Sequence, residues 1–181
     1  MKKLHILGLA ISAALCAPMA AQASTGTITF AGALKSSTCV VTAPGAGSFT
    51  VTLPTLATSA LGALGSVAGA TPFSITVSNC ESGITSFTPF FEAGLYTDYT
   101  SGRLNIATGA GNATNVQLQL LNSDLTVIDV AKAYGSQNVH STTVSGTPGS
   151  GTGTYVVRYY SLGSATAGTV SSSVTYSMVY V

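Results

Sequence analysis

Charge is what this chain has least of. Its 181 residues carry 6 Lys and Arg, 5 Asp and Glu and 2 His, so 6% of positions are charged and the formal net charge is +1. So few cations leave no basic stripe for a phosphate backbone, which excludes nucleic-acid binding through charge, and no polybasic face for a membrane surface. Tryptophan is absent, and the 3 cysteines and 2 histidines include no C-x-x-C pair, so no metal site is expected. No apolar run reaches the roughly 18 to 20 residues of a transmembrane helix, and no long stretch shows a helical stripe. What is abundant is hydrophobic content, 46% with 20 Gly, which suffices for the core of one domain.

The N-terminus reads Met1-Lys2-Lys3, then a mostly apolar run from Leu4 to Leu15, then Ala21-Gln22-Ala23 before Ser24. That order of positive, apolar and small residues is a secretory signal peptide, so residues 1–23 are expected to be removed, Cys16 with them. The remaining 158 residues hold four cations against five anions, and 48 of them are Ser or Thr. A surface of neutral hydroxyls stays soluble without charge and suits an exported protein. Export also sets the redox state. Cys39 and Cys80, 41 residues apart, enter an oxidising compartment where such a pair closes into a disulfide. In a chain-entropy treatment a loop of that size gains about 4 kcal/mol. A metal pair or a catalytic thiol would need neighbours that His140, the one histidine left, does not supply.

Alternation with period two runs through the chain. Phe49, Val51 and Leu53 share one parity, and Phe73, Ile75 and Val77 lead to Cys80. Val116, Leu118 and Leu120 alternate with Gln117 and Gln119, an apolar run follows from Leu125 to Val130, and 155–160 reads as buried on both faces. Val170, Val174, Tyr176, Met178 and Tyr180 oppose Ser171, Ser173, Thr175 and Ser177, an eleven-residue terminal strand. Residues 55–70 read as strand or loop, with a short helix as the rival. Seven or so short strands with polar turns predict an all-β, antiparallel sandwich of immunoglobulin-like kind.

Two segments do not fit a self-contained sandwich. Residues 26–34 alternate apolar side chains at the new N-terminus, where ends are usually polar and frayed. The last strand has no following partner, and its final thirteen residues contain neither charge nor proline to blunt the open edge. One mechanism resolves both: the N-terminal segment of one molecule adds as a strand beside the terminal strand of the next. Donor and acceptor then lie at different places on each subunit, so contacts run head-to-tail and generate a filament.

Residues 26–34, Gly-Thr-Ile-Thr-Phe-Ala-Gly-Ala-Leu, resemble the donor strand of the chaperone-usher fimbrial subunit family, of which type 1 pili are familiar members. Cys39-Val40-Val41 and the run from Phe73 to Cys80 are similar to the family's disulfide strands, and 115–121 to another of its strands. Gly168, fourteenth from the end, and the penultimate Tyr180 fit its C-terminal signature. The resemblance implies an incomplete immunoglobulin-like sandwich (residues 35–181) completed by a donor strand from a neighbouring subunit. The donor face would be Gly26, Ile28, Phe30, Gly32 and Leu34, within the extension 24–34. The acceptor groove and chaperone edge would include Gly168, Val170, Val174, Tyr176, Met178 and Tyr180. Implied partners are a periplasmic pilus chaperone, an outer-membrane usher and neighbouring copies or other pilus subunits, with no nucleic acid and no direct membrane anchor. The destination is the fimbrium on a bacterial cell surface, and the role the major shaft subunit supporting adhesion. A minor or adaptor subunit, or a self-contained secreted carbohydrate-binding sandwich, are the rivals.

Other chemistry finds little to stand on. His140, Ser141 and Asp129 suggest a hydrolase constellation, but no G-x-S-x-G elbow occurs. The glycine-rich 146–153 lacks the lysine and following helix of a phosphate loop. Asp98, Asp124 and Asp129 are too scattered for a calcium loop. Tyr96 and Tyr99 around Asp98 could meet a sugar, though an ordinary turn explains them as well, and the Asn112-Ala113-Thr114 sequon is uninformative. Neither enzyme activity nor a cofactor is expected.

Overall fold

The computed structural model describes Thr29, Ala31, residues 39–43 and residues 47–181. All but the first two belong to the unit Lys35–Val181, which is described by itself. The donor-face residues Gly26, Ile28, Phe30, Gly32 and Leu34 and the leader 1–23 lie outside the described residues.

Among the described residues seven strands form two antiparallel sheets, and no α-helix occurs. In chain order they are β1 (Val40–Ala43), β2 (Val67–Cys80), β3 (Ser86–Glu92), β4 (Val116–Asn122), β5 (Thr142–Thr143), β6 (Gly149–Ser161) and β7 (Thr175–Tyr180). One sheet has the order β1-β2-β6-β4 and the other β5-β3-β7. Between them Ile75, Phe91, Leu120, Ile128, Tyr155 and Val157 form the main core. Phe91 meets Tyr155 edge-on at 5.9 Å, a favoured aromatic geometry. A second cluster at one end gathers Val77, Ile84, Phe87 and Val144 around the Cys39–Cys80 disulfide.

Several elements differ from the sequence reading, each for a physical reason. Residues 55–70 split into a 3-10 helix, Thr58–Leu61, and the start of β2 at Val67. The run from Leu125 to Val130 is not a strand: Val127 forms one isolated bridge to Leu121, while Ile128 and Val130 are drawn into the core. The terminal strand spans six residues, Thr175–Tyr180, rather than eleven. Gln117 and Gln119, which alternate with the apolar residues of β4, are buried as well. Gln117 takes Arg103 Nε on its oxygen at 2.7 Å and donates to Asp98 and Asn105 at 2.9 Å each, while Gln119 takes two donors from Arg158. The loop carrying Asp98 and Arg103 thus roofs the outer face of β4, with Arg103 lying 3.9 Å over the Tyr160 ring.

β3 was not anticipated, because Pro89 interrupts it. The register with β7 shows why proline is tolerated. Ser86 and Val181 exchange hydrogen bonds of 3.0 and 3.2 Å, so even-numbered β3 residues bond toward β7 and odd-numbered ones point the other way. On that side β5 pairs only with Ser86 and Phe87, so the missing N–H of Pro89 falls beyond the end of the ladder. At Phe91 the absent strand is replaced by one side chain. Gln137, 2% exposed, accepts from the Phe91 N–H at 3.1 Å and donates to its carbonyl at 2.6 Å, as well as to the Val130 and Lys132 carbonyls.

Replacing Gln137 with Leu leaves buried backbone groups without partners and should cost about 3 kcal/mol, seen as a lower urea midpoint with unchanged slope. Asp98 generates a pH dependence. Hydrogen bonds from Ser101, Gln117 and the Thr100 N–H hold its pKa at about 2, below the usual 3.8. Its folded pKa is depressed, so the stabilisation is present above pH 3.8 and is lost as pH falls toward 2. Asp98→Asn should be less stable than the parent at pH 6, and the gap should close between pH 4 and pH 2 in acid unfolding curves.

Candidate functional site: an open groove between the sheets

The two sheets do not close along one side. Phe49, Val51 and Leu53 keep the alternation of a strand, half-buried between the exposed Ser48, Thr50 and Thr52, yet they belong to neither sheet. Among the described residues no backbone hydrogen bond reaches 48–53. Opposite lie Val170, Ser172 and Val174, also alternating and outside any strand. On that wall the Ser171 carbonyl accepts from the Ala107 N–H and the Ser172 hydroxyl donates to the Asn105 carbonyl, both at 2.7 Å. The space between is a groove of about 820 Å³ with Phe73, Ile75, Phe91, Leu118, Leu120 and Val157 among its lining. Its floor is the core of the sandwich.

β7 continues the second wall. The register that directs Ser177 and Val179 toward β3 turns the backbone groups of Tyr176, Met178 and Tyr180 toward the free edge of the sheet. In a strand the same residues also share one side-chain face. Tyr176 and Met178 therefore offer apolar surface to the groove and, to its mouth, backbone groups with no partner among the described residues. A strand laid here would find a hydrogen-bonding edge and pockets at alternate positions.

Two phenols bridge the gap, Tyr176 within the groove and Tyr180 at its disulfide end. The Tyr176 hydroxyl donates to the Gly47 carbonyl at 2.7 Å, and the Tyr180 hydroxyl to that of Cys39 at 3.4 Å. Burial raises both phenols above their ordinary pKa, and Tyr176 raises that of Tyr180 further. At the other end Pro54 is held by Tyr159, whose hydroxyl donates to its carbonyl at 3.2 Å.

Of the residues singled out from sequence, Val170, Val174, Tyr176 and Met178 line the groove. Tyr180 does not; its ring packs on the disulfide cluster. Nor does Gly168, which lies against the backbone of Asn112 and Ala113, so close that a Cβ would stand 2.3 Å from the Ala113 nitrogen. The first wall, Phe49 to Leu53, was read as a strand without being assigned to the groove. Its signal was present: alternation directly after β1 and before Pro54. The His140 backbone N–H donates to the Asn122 side-chain oxygen, and the Asp129 carboxylate accepts from the Ala131 backbone N–H. Asp98 is committed to Ser101, Thr100 and Gln117, so Tyr96 and Tyr99 flank a structural carboxylate.

A family model described as type-1 fimbrial protein, A, matches residues 53–181. The chain belongs to this family. It is 42% identical to the major fimbrial subunit SMF-1 of Stenotrophomonas maltophilia over 91% of this chain and 97% of that one. It is 38% identical to the F17 fimbrial protein of Escherichia coli over 97% and 96%. A solved chaperone-usher pilus shares the fold, with a TM-score of 0.59, 18% identity, and coverage of 91% of this chain and 99% of that one. The groove therefore belongs to a structural fimbrial subunit.

Tyr176→Phe removes the bridge to Gly47 while keeping the ring. It should cost about 1 kcal/mol in thermal or urea unfolding. Because burial raises the phenol's pKa, its neutral form is required: stability is full below pH 10 and declines as pH rises through the folded value. The Phe variant should show a shallower alkaline decline than the parent between pH 10 and pH 12.

Proposed function

We propose that the groove accepts a β-strand from a neighbouring copy, residues 26–34, and that the chain is the major shaft subunit of a surface fimbria that supports adhesion. The observation that carries this reading is the pair of extended, alternating walls, 48–53 and 170–178, whose backbone along 48–53 and along the outer edge of β7 has no partner among the described residues. Such a seam is complementary to one strand with apolar residues at every second position. Ile28, Phe30 and Leu34 supply that pattern, with Gly26 and Gly32 in the same parity.

Energetics favour filling the seam. Three apolar side chains at about 1.5–3 kcal/mol each, with a ladder of new hydrogen bonds, offset the cost of ordering a short segment. An empty groove also exposes an apolar strip that would recruit other chains nonspecifically. Hence a periplasmic chaperone would occupy it after export, and an outer-membrane usher would exchange that strand for the next subunit's. The name of the Stenotrophomonas relative, a major fimbrial subunit, supports the shaft role.

Surface protein sheared from cells carrying the assembly genes should run on SDS gels as an unboiled ladder that boiling collapses to the mature mass. Deleting 24–34 should abolish the ladder. Ile28→Asp or Phe30→Asp should do the same by burying an unpartnered charge, and Gly32→Leu by overfilling a narrow site. A single monomer band under both conditions, from well-expressing cells, would mean that the sandwich closes on itself.

A further inference from the structure

We propose that the end of the sandwich opposite the disulfide is a docking surface for the body of the next copy of this chain, seated on Leu64, Val67 and Leu162. This rests on the reading that residues 26–34 of that copy fill the groove. All three side chains are exposed, Leu64 at 74%, Leu162 at 43% and Val67 at 42%. They are close together: Val67 pairs with Tyr160, the Gly65 N–H donates to Ser161, and Leu64 lies against Gly163. The end of β6 ties this patch to the groove, since Tyr159 holds Pro54 just past Leu53, and the Ser161 hydroxyl holds the Leu61 carbonyl at 2.6 Å.

Two observations bring the next copy here. The disulfide end of the groove is bridged by the Tyr180 hydroxyl to the Cys39 carbonyl, so a strand attached to a bulky body leaves by the other end. Antiparallel pairing with β7, stronger per residue than parallel, puts the last donor residues at that same end. Only residues 35–38 then separate Leu34 from Cys39, a reach of about 18 Å at most when fully extended. The disulfide end of the incoming body must settle within that distance. It presents an apolar residue of its own, Val40, 51% exposed on β1 directly after Cys39. Apolar surface at both ends of a four-residue linker fits a head-to-tail contact between unlike faces.

Lys35 is the one basic residue between Ser24 and Cys39, so trypsin reports how well the joint is covered. Filaments of the full mature chain carrying Leu64→Gln and Leu162→Gln should be cut after Lys35 at least tenfold faster than the parent. Capture of a fluorescent peptide of residues 24–34 by the refolded mature chain should be unchanged. Leu95→Gln, at an 89% exposed site, should leave the cleavage rate alone. Leu64→Gln by itself, a change too exposed to disturb folding, should give an intermediate rate. Failure to form filaments with peptide capture intact would also support docking at this patch. Cleavage at the parental rate, or equal acceleration by Leu95→Gln, would overturn it. If the parent does not capture the peptide, the groove reading falls first and this one with it.

Discussion

The constraint on which this structure depends is that buried backbone polar groups must find partners. Wherever the two sheets fall short, a side chain is recruited. Gln137 stands in for a strand at Phe91, Asn122 serves Thr126, Asn138 and His140, and tyrosine hydroxyls reach the carbonyls of Gly47 and Pro54. Against that thoroughness, the backbone of 48–53 stands out. Phe49, Val51 and Leu53 pack against the core, and the backbone hydrogen-bonding groups of the segment have no partner among the described residues. Among the described residues, a fold that satisfies so much internally leaves a strand-wide seam between apolar walls, the form that the proposed donor strand would complete.

The poverty of charge follows from the same design. A subunit that repeats many times multiplies any net charge along the filament, and like charges at each joint would oppose assembly. Neutral hydroxyls avoid that. On the outer face of β2 and β6, Ser74 meets Thr154 at 3.3 Å and Thr76 meets Thr152 at 3.0 Å, cross-strand pairs that stay in place whatever the salt or pH. The few charges present are used locally. Asp98 and Arg103 share Gln117, and Arg103 covers Tyr160, so the loop lies fixed over β4.

How much was legible depended on whether a single parity governed both packing and exposure. The even-numbered face of β7 was readable because Tyr176 and Met178 alternate with Ser177 and Thr175 over the stretch that lines the groove. The disulfide followed from export and cysteine count. β3 was hidden because Pro89 argues against a strand, and its tolerance depends on where β5 stops, a tertiary fact. The burial of the Gln residues of β4 was not legible, because alternation alone does not reveal a loop from residues 98–105 folding over them. At Gly168 the constraint is the close approach of Ala113, 55 residues away in sequence, which no local pattern reveals. Tyr180 shares the parity of the groove residues, yet the groove ends before it, at the disulfide cluster.

Direction of assembly can be argued from the same topology. Cys39 lies at the disulfide end, where β7 finishes, and residues 35–38 are too few to carry Leu34 far from it. A chain filling its own groove would therefore have to run from the open end toward the disulfide, parallel to β7. A neighbour's segment is free of that tether and can take the antiparallel sense, with pairing slightly more stable per residue. Self-insertion gains from high effective concentration, and exchange gains from better hydrogen bonds and from burying whatever surface the two bodies share. The balance shifts toward the filament as each joint adds contact outside the groove. A surface at the open end that holds the next body would thus do more than stiffen the shaft: it would help decide between a closed monomer and a polymer.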